Sequence, residues 1–462
     1  MDRVKQLSRG FGSGGEYILY WMQQSQRVFY NHALNFAISK ANKNHQPLMV
    51  LFVLTNDFPQ AENSHYVFML EGLQEVQEEL QKRGVTFIIR QGDPVDIVSD
   101  FARQASIVVF DGGYLRIQKS WRNHIRDHIE NPIYQVESDV VIPVETASNK
   151  REYMARTLRP KIHAALKEVF EDEVKVKPRE ISEADFSGEV EVPPRYDSVT
   201  GSINPVTGVK IEKILEEYRE KAKKTRFTGG HSTAVAQFRN FVKEKLPFYA
   251  DKSNDPGYEN VSLMSPYLHF GQISPLELIH LIQEHYDLNE PFVRDYLEQL
   301  IVRRELAVNF VHYTEHYDSL DALPDWARKT LEEHANDARE YLYTFEELEQ
   351  GKTHDEDWNT CMEEMRETGF MHGHMRMYWG KKIIEWTESP EIAFDTLIKL
   401  NNRYFLDGRD PVSYTSILWL FGLHDQAWKE RPIFGKIRYM NQAGLHRKFN
   451  MKNYEIRIKN DE

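Results

Sequence analysis

A chain of 462 residues, 41% hydrophobic and 28% charged, has enough material for two or three cores and the composition of a water-soluble globular protein. Its net charge of −13 argues against a protein that coats nucleic acid without specificity, and a single cysteine, Cys361, excludes an intrachain disulfide and suits a reducing, cytoplasmic setting. No run approaches the roughly 20 apolar residues of a membrane-spanning helix, and Met1-Asp2-Arg3-Val4-Lys5 lacks the apolar core of a secretory signal.

Short apolar runs at Tyr17 to Met22, Leu48 to Leu54, Val85 to Arg90 and Ser106 to Asp111 predict strands buried on both faces. Between them, Arg27 to Ala41, His65 to Arg83 and Pro94 to Gln104 predict amphipathic helices, with Gly84 at the position of a C-terminal cap. The alternation implies right-handed crossovers and a parallel, Rossmann-like sheet covered by helices on both faces. The glycines of Gly10-Phe11-Gly12-Ser13-Gly14-Gly15 precede the first of these strands, so they do not make a dinucleotide fingerprint. Residues 171–204, rich in Glu, Pro, Ser and Gly, read as a linker. Beyond it, Ile211 to Lys224, Val235 to Leu246, Pro275 to His285, Phe292 to His312 and Met375 to Thr387 predict an all-helical part. The expected organisation is an α/β domain over 1–170, the linker, and a helical domain over 205–462.

Two clusters of basic residues interrupt the acidic balance. One is Lys221-Ala222-Lys223-Lys224-Thr225-Arg226; the other is a tail with Lys436, Arg438, Arg447, Lys448, Lys452, Arg457 and Lys459. Either is a solvated face or a patch for phosphates, and charge does not choose. His372 and His374 stand two apart at a helix start, point to different faces, and have no carboxylate to complete a set, so no metal is expected. Trp379 and Trp386, seven apart, fall on one helix face, and Trp358 in the preceding segment can fold back on them. Such spacing is ordinary for core packing. Ser262 and Ser265, three apart before an apolar run, suit helix capping and equally suit a phosphate. Ile301-Val302-Arg303-Arg304-Glu305 places two guanidinium groups and a carboxylate on one helical segment, as a surface ion pair or a polar binding face.

Longer strings narrow these readings. Asn260-Val261-Ser262-Leu263-Met264-Ser265-Pro266-Tyr267-Leu268-His269-Phe270-Gly271 is similar to the pyrophosphate-binding segment of the photolyase and cryptochrome family. The opening Tyr20-Trp21-Met22, Gln26-Arg27 and Asn31-His32-Ala33-Leu34 agrees with its class II photolyases, which split cyclobutane pyrimidine dimers. So do Met371 to Trp386, Leu400-Asn401-Asn402-Arg403-Tyr404 and Leu406-Asp407-Gly408-Arg409-Asp410-Pro411. The departures are Val308, where relatives carry aspartate, and Gly422-Leu423-His424-Asp425, where some carry a further glycine.

The resemblance implies light-dependent repair of pyrimidine dimers in damaged DNA by a monomer holding FAD in its helical domain as the reduced, anionic hydroquinone. It assigns Tyr249, Ser262, Leu263, Met264 and Ser265 to the phosphate and ribitol of FAD, and Arg376 with Asp407 to the flavin ring. It sets Asn401 opposite flavin N5, with Asn402 as its rival. Trp379, Trp358 and Trp386 become the proximal, middle and distal members of an electron relay from the surface. Glu305, Arg303, Trp419, Asp425 and Lys252 are assigned to the lesion. A deazaflavin antenna of the 8-hydroxy type is expected in the N-terminal domain. The alternative within the same family is a cryptochrome-like photoreceptor.

Overall fold

The computed structural model describes residues 3–10, 14–55, 58–173 and 211–461; of the linker segment, residues 174–204 lie outside the described residues. The first half is built on a six-stranded sheet: β1 (Val4–Ser8), β2 (Tyr17–Met22), β3 (Leu48–Leu54), β4 (Thr86–Gln91), β5 (Ala105–Asp111) and β6 (Ile133–Val136). Their spatial order is β1-β6-β5-β2-β3-β4, parallel throughout except for the antiparallel β1–β6 pair. Helices α1 (His32–Asn44), α2 (Asn63–Lys82), α3 (Pro94–Ala102) and α4 (Arg116–His128) cover the sheet.

Strands β2 and β3 are buried along their whole length, which is why they read as unbroken apolar runs. Successive residues still part company: Ile18, Tyr20 and Met22 enter one core while Tyr17, Leu19 and Trp21 enter another. The first of these cores continues without a break into the helical half, through Ile211, Phe238, Tyr267 and Leu300. The two halves therefore share a core. Gly84 takes φ +67, its N–H bonding Gln81 O while Val85 N–H bonds Leu80 O, and closes α2 as expected.

Two differences from the sequence reading have local causes. Strand β1 is a partly exposed edge, V-K-Q-L-S, without an apolar run to announce it, and β6 has only four residues. Helix α1 starts at His32 rather than Arg27 because Arg27 is drawn into the junction between the halves. Its guanidinium, fully buried, bonds Asp139 Oδ1 at 2.6 Å, Ser138 O at 2.7 Å and Gly271 O at 2.9 Å. Asn31 then caps the helix, its side chain accepting from Leu34 N–H at 2.9 Å.

The helical half is organised around a long helix that runs as α-helix over Pro291–Leu297, widens to a π segment over Glu298–Arg303, and returns to α-helix over Arg304–Tyr313. Around it stand helices Glu356–Thr368, Gly373–Trp386, Pro390–Tyr404 and Pro411–Leu420. Helix Ala155–Glu173 lies against the long helix, with Arg159 bonded through two nitrogens to the Glu298 carboxylate at 2.8 and 2.9 Å. Among the described residues no helix is long and apolar enough to cross a membrane.

Candidate functional site in the helical half

A cavity of about 580 Å³ opens between the long helix, the turn before Ser265 and the helices that carry Arg376, Asn401 and Trp419. That size is ordinary for a small-molecule site. At one end lie Tyr249, Ser262 and Ser265. The Gln237 side-chain amide holds the Ser262 and Leu263 carbonyls at 3.3 and 3.4 Å, which fixes the turn that presents the serines. Tyr249 stacks edge-on against Tyr296 at 5.3 Å, and burial pushes its phenol up to about 12, so it stays protonated at neutral pH.

Arg376 and Asp407 form the polar wall. Both guanidinium Nη atoms meet the carboxylate, at 2.9 and 3.1 Å, Nε donates to Met371 O at 2.9 Å, and the guanidinium lies 3.9 Å from the centre of the Phe405 ring. Three of the five guanidinium N–H groups, on Nε and on each Nη, are thereby occupied. Asn401 and Trp379 complete this side.

The tryptophans assemble as their spacing predicts. Trp379 reaches the cavity, Trp358 is fully buried behind it with Nε1 on the Trp379 carbonyl at 3.0 Å, and the Trp358 and Trp386 rings are 5.6 Å apart at 69°. The outermost indole is not at the surface. Trp386 is 2% exposed, covered by Tyr343 at 5.5 Å and His354 at 5.2 Å between ring centres.

Several residues assigned from the resemblance stand elsewhere. Glu305 is buried and turned away from the cavity, its Oε1 accepting Val141 N–H at 2.6 Å and Ile142 N–H at 3.1 Å. The reason is helical geometry: residues two apart project to nearly opposite sides, so Arg303 and Glu305 cannot share a face. Arg303 takes the cavity side, and Gln299, one turn earlier, lies there with it. Met264 is core, 1% exposed, and Leu263 packs beside it with φ +58, so only the serines of that string reach the cavity wall. Lys252 lies over Phe248 and Tyr258 at 4.8 and 5.2 Å, off the wall.

Trp419 does line the cavity, and behind it is a cluster that the sequence reading left apart. The Arg438 guanidinium sits 5.2 Å from the Trp419 ring and 4.3 Å from the Trp428 ring, while its Nε and Trp428 Nε1 both donate to Asp425 Oδ2, at 3.2 and 3.3 Å. Asp425 thus supports Trp419 through Arg438 without lining the cavity. Nothing in the sequence joins Arg438 to Trp419; the loop between them does. His424 is a second residue missed. Burial holds its pKa down to about 3, so the ring is neutral, and its Nε2 is buried beside the cavity without a partner among the described residues.

That orphaned nitrogen, the paired serines, the Arg376–Asp407 wall and the single free end of Asn401 describe a cavity prepared for a large polar cofactor with a flat ring. FAD fits this donor set: hydroxyls for its phosphates, a guanidinium–carboxylate edge for its ring, and an indole beside it.

Known proteins bear directly on this architecture. Residues 18–179 match the DNA photolyase family model. The deoxyribodipyrimidine photo-lyase of Methanothermobacter thermautotrophicus is 45% identical over 448 residues, 96% of this chain and 95% of its own length. The chain belongs to the DNA photolyase family. The deoxyribodipyrimidine photo-lyase of Potorous tridactylus is 38% identical, over 95% of this chain and 81% of its own. In fold, the chain is similar to an archaeal photolyase from Sulfolobus tokodaii crystallised with two FAD molecules, at TM-score 0.68 and 17% identity over 95% of this chain and 89% of that one. It is likewise similar to a Synechocystis cryptochrome, at 0.71 and 14% over 96% and 88%.

Proposed function

We propose that this photolyase-family chain is a deoxyribodipyrimidine photo-lyase that binds FAD in the helical cavity and splits cyclobutane pyrimidine dimers brought to its mouth. The observation that carries the proposal is one cavity lined by the Arg376–Asp407 pair, Asn401, Trp379 and the half-buried Trp419. When bound, reduced FAD supplies the light-excited electron that opens the cyclobutane ring and then recovers it. The protein's own tasks are binding, orientation and the exclusion of water.

Ser262, Ser265 and Tyr249 would hold the phosphates, and Arg376 with Asp407 would fix the ring edge. Trp419, Arg303 and Gln299 are among the cavity groups that would meet two linked pyrimidines of one strand swung out of the duplex. The Arg438–Trp428–Asp425 cluster buttresses Trp419 from behind, and Trp428, 41% exposed, offers a second aromatic surface to the gap the lesion leaves. Dimers suit this route because a damaged pair is cheaper to unstack than an intact one, as holds generally for enzymes that extrude a base, photolyases among them.

A second, smaller cavity of about 140 Å³ lies at the C-terminal ends of the parallel strands, between Trp21, Gln23, Gln26, Trp121 and Arg409. Open α/β sheets bind ligands at that edge. Both polar atoms of the Gln23 amide, Gln26 Oε1 and Arg409 Nη2 are buried there without partners among the described residues, which supports an antenna pigment with polar ring substituents, of the 8-hydroxydeazaflavin kind.

Stacking on Trp419 is worth roughly 1–3 kcal/mol per base. Trp419→Ala is therefore expected to weaken binding to dimer-containing DNA by about ten- to hundredfold and to leave binding to undamaged DNA unchanged. Equal affinity of both proteins for the lesion would remove Trp419 from the proposal.

A further inference from the structure

Asn401 and Asn402 are consecutive on helix Pro390–Tyr404, so their side chains diverge by about 100° and only one can face the cavity. Asn401 does; Asn402 turns to the α/β half, where its Nδ2 meets Gln60 Oε1 at 2.7 Å and the Tyr414 phenol is also within reach. Both asparagines are buried. The two ends of an amide look alike in shape, and only their partners tell oxygen from nitrogen.

Here the partners decide. Arg409 N–H can only donate, and it points at Asn402 Oδ1 from 3.0 Å, so that atom is the oxygen. Asn401 also approaches Asn402 Oδ1 at 3.0 Å and must therefore present its NH2 group. The carbonyl oxygen of Asn401 is left as the end available to a ligand. The backbone that delivers the deciding N–H is unusual. Arg409 has φ +58, and at Gly408 any Cβ would fall 2.8 Å from Asn401 O and 2.9 Å from Phe405 O. The same turn supplies Asp407 to Arg376. One turn thus sets two groups of the cavity wall.

We propose that Asn402, oriented by the Arg409 backbone, is a positioning residue that fixes Asn401 as a hydrogen-bond acceptor toward the cavity. A flavin is distinguished by such a group. Its N5 carries a hydrogen when the ring is fully reduced and a lone pair when it is oxidised, so a fixed acceptor favours the reduced ring and disfavours the oxidised one. This rests on the FAD reading above. It adds that selectivity for redox state comes from a residue that does not touch the ligand.

The test is the two-electron midpoint potential of bound FAD, measured against a reference dye in wild type, Asn402→Leu, Asn401→Leu and the double variant. One hydrogen bond gained or lost is worth about a tenfold change in the reduced-to-oxidised ratio, or ~30 mV for a two-electron couple. Asn402→Leu is expected to retain FAD and to lower the potential by that amount, because Asn401 can then rotate and donate to the oxidised ring. With Asn401 already replaced, the Asn402 substitution should add nothing, since its effect passes through Asn401. Gln60→Ala, which leaves the Arg409 N–H in place, should hold the wild-type potential, and Asn402→Ala offers the same comparison if the leucine variant fails to load. An unchanged potential in the Asn402 variants, or an equal shift with and without Asn401, overturns the proposal. A wild-type protein that takes up no flavin overturns the cofactor reading first.

Discussion

Trp358→Phe is expected to abolish light-driven reduction of the bound flavin while leaving repair by chemically reduced protein at the wild-type rate. Trp358 touches neither the cavity nor its mouth. It is the link between Trp379, which faces the cavity, and Trp386, its ring 5.6 Å away. An indole gives up an electron more readily than a phenyl ring of similar bulk, so phenylalanine keeps most of the packing and removes the carrier. The indole it replaces is fully buried, and its Nε1 bond to the Trp379 carbonyl would be lost, at a stability cost of about 1 kcal/mol. Absorption changes under illumination with an external reductant report the reduction, and dimer splitting after chemical reduction reports repair. A Trp358→Phe protein that photoreduces like wild type would show that electrons reach the cavity by another route.

Glu305→Gln is expected to remove a large pH dependence of stability without impairing repair. The carboxyl is buried, and desolvation, only partly offset by the Val141 and Ile142 N–H groups and by Arg304 and Arg3, raises its pKa from 4.5 to about 7. Its Oε2 has no partner among the described residues. In the window between those values the folded protein keeps a proton that the unfolded chain has released. Stability therefore falls as pH rises from about 4.5 to about 7 and stays low above it, a loss of roughly 3 kcal/mol from this one group. Glutamine cannot ionise, so its melting temperature should exceed that of wild type by a margin that grows between pH 5 and pH 8. A margin that is constant across this range would mean that the carboxyl is not held neutral. A loss of repair in Glu305→Gln would return this residue to the lesion, where the sequence reading put it.

How much of this could be read beforehand follows from what each feature depends on. The strands at Tyr17 to Met22 and Leu48 to Leu54 were legible because burial on both faces leaves only apolar residues there. The edge strand β1 was not, since a half-exposed strand of mixed residues carries no such mark. The tryptophan alignment was legible from helical spacing, because a seven-residue interval is two turns and leaves little freedom. Glu305 went astray for the converse reason. Its membership in a polar string was visible, but the face it takes depends on where the π segment ends, at Arg303, two residues before Glu305. The Arg438–Trp419 contact and the bond from Arg409 N–H to Asn402 depend on loop conformation, and no periodicity encodes a loop. Asn401 could be distinguished from Asn402 only by their partners.

The central claim is that the helical cavity holds a reduced flavin near enough to a displaced pyrimidine dimer for light to move an electron between them. The measurement that tests it most directly is dimer content in an oligonucleotide incubated with flavin-loaded, chemically reduced protein, under blue or near-ultraviolet light and in the dark. Intact pyrimidines should return in the light alone, with no net oxidation of the protein. Dimers that persist under illumination, with flavin and DNA both bound, would contradict the account.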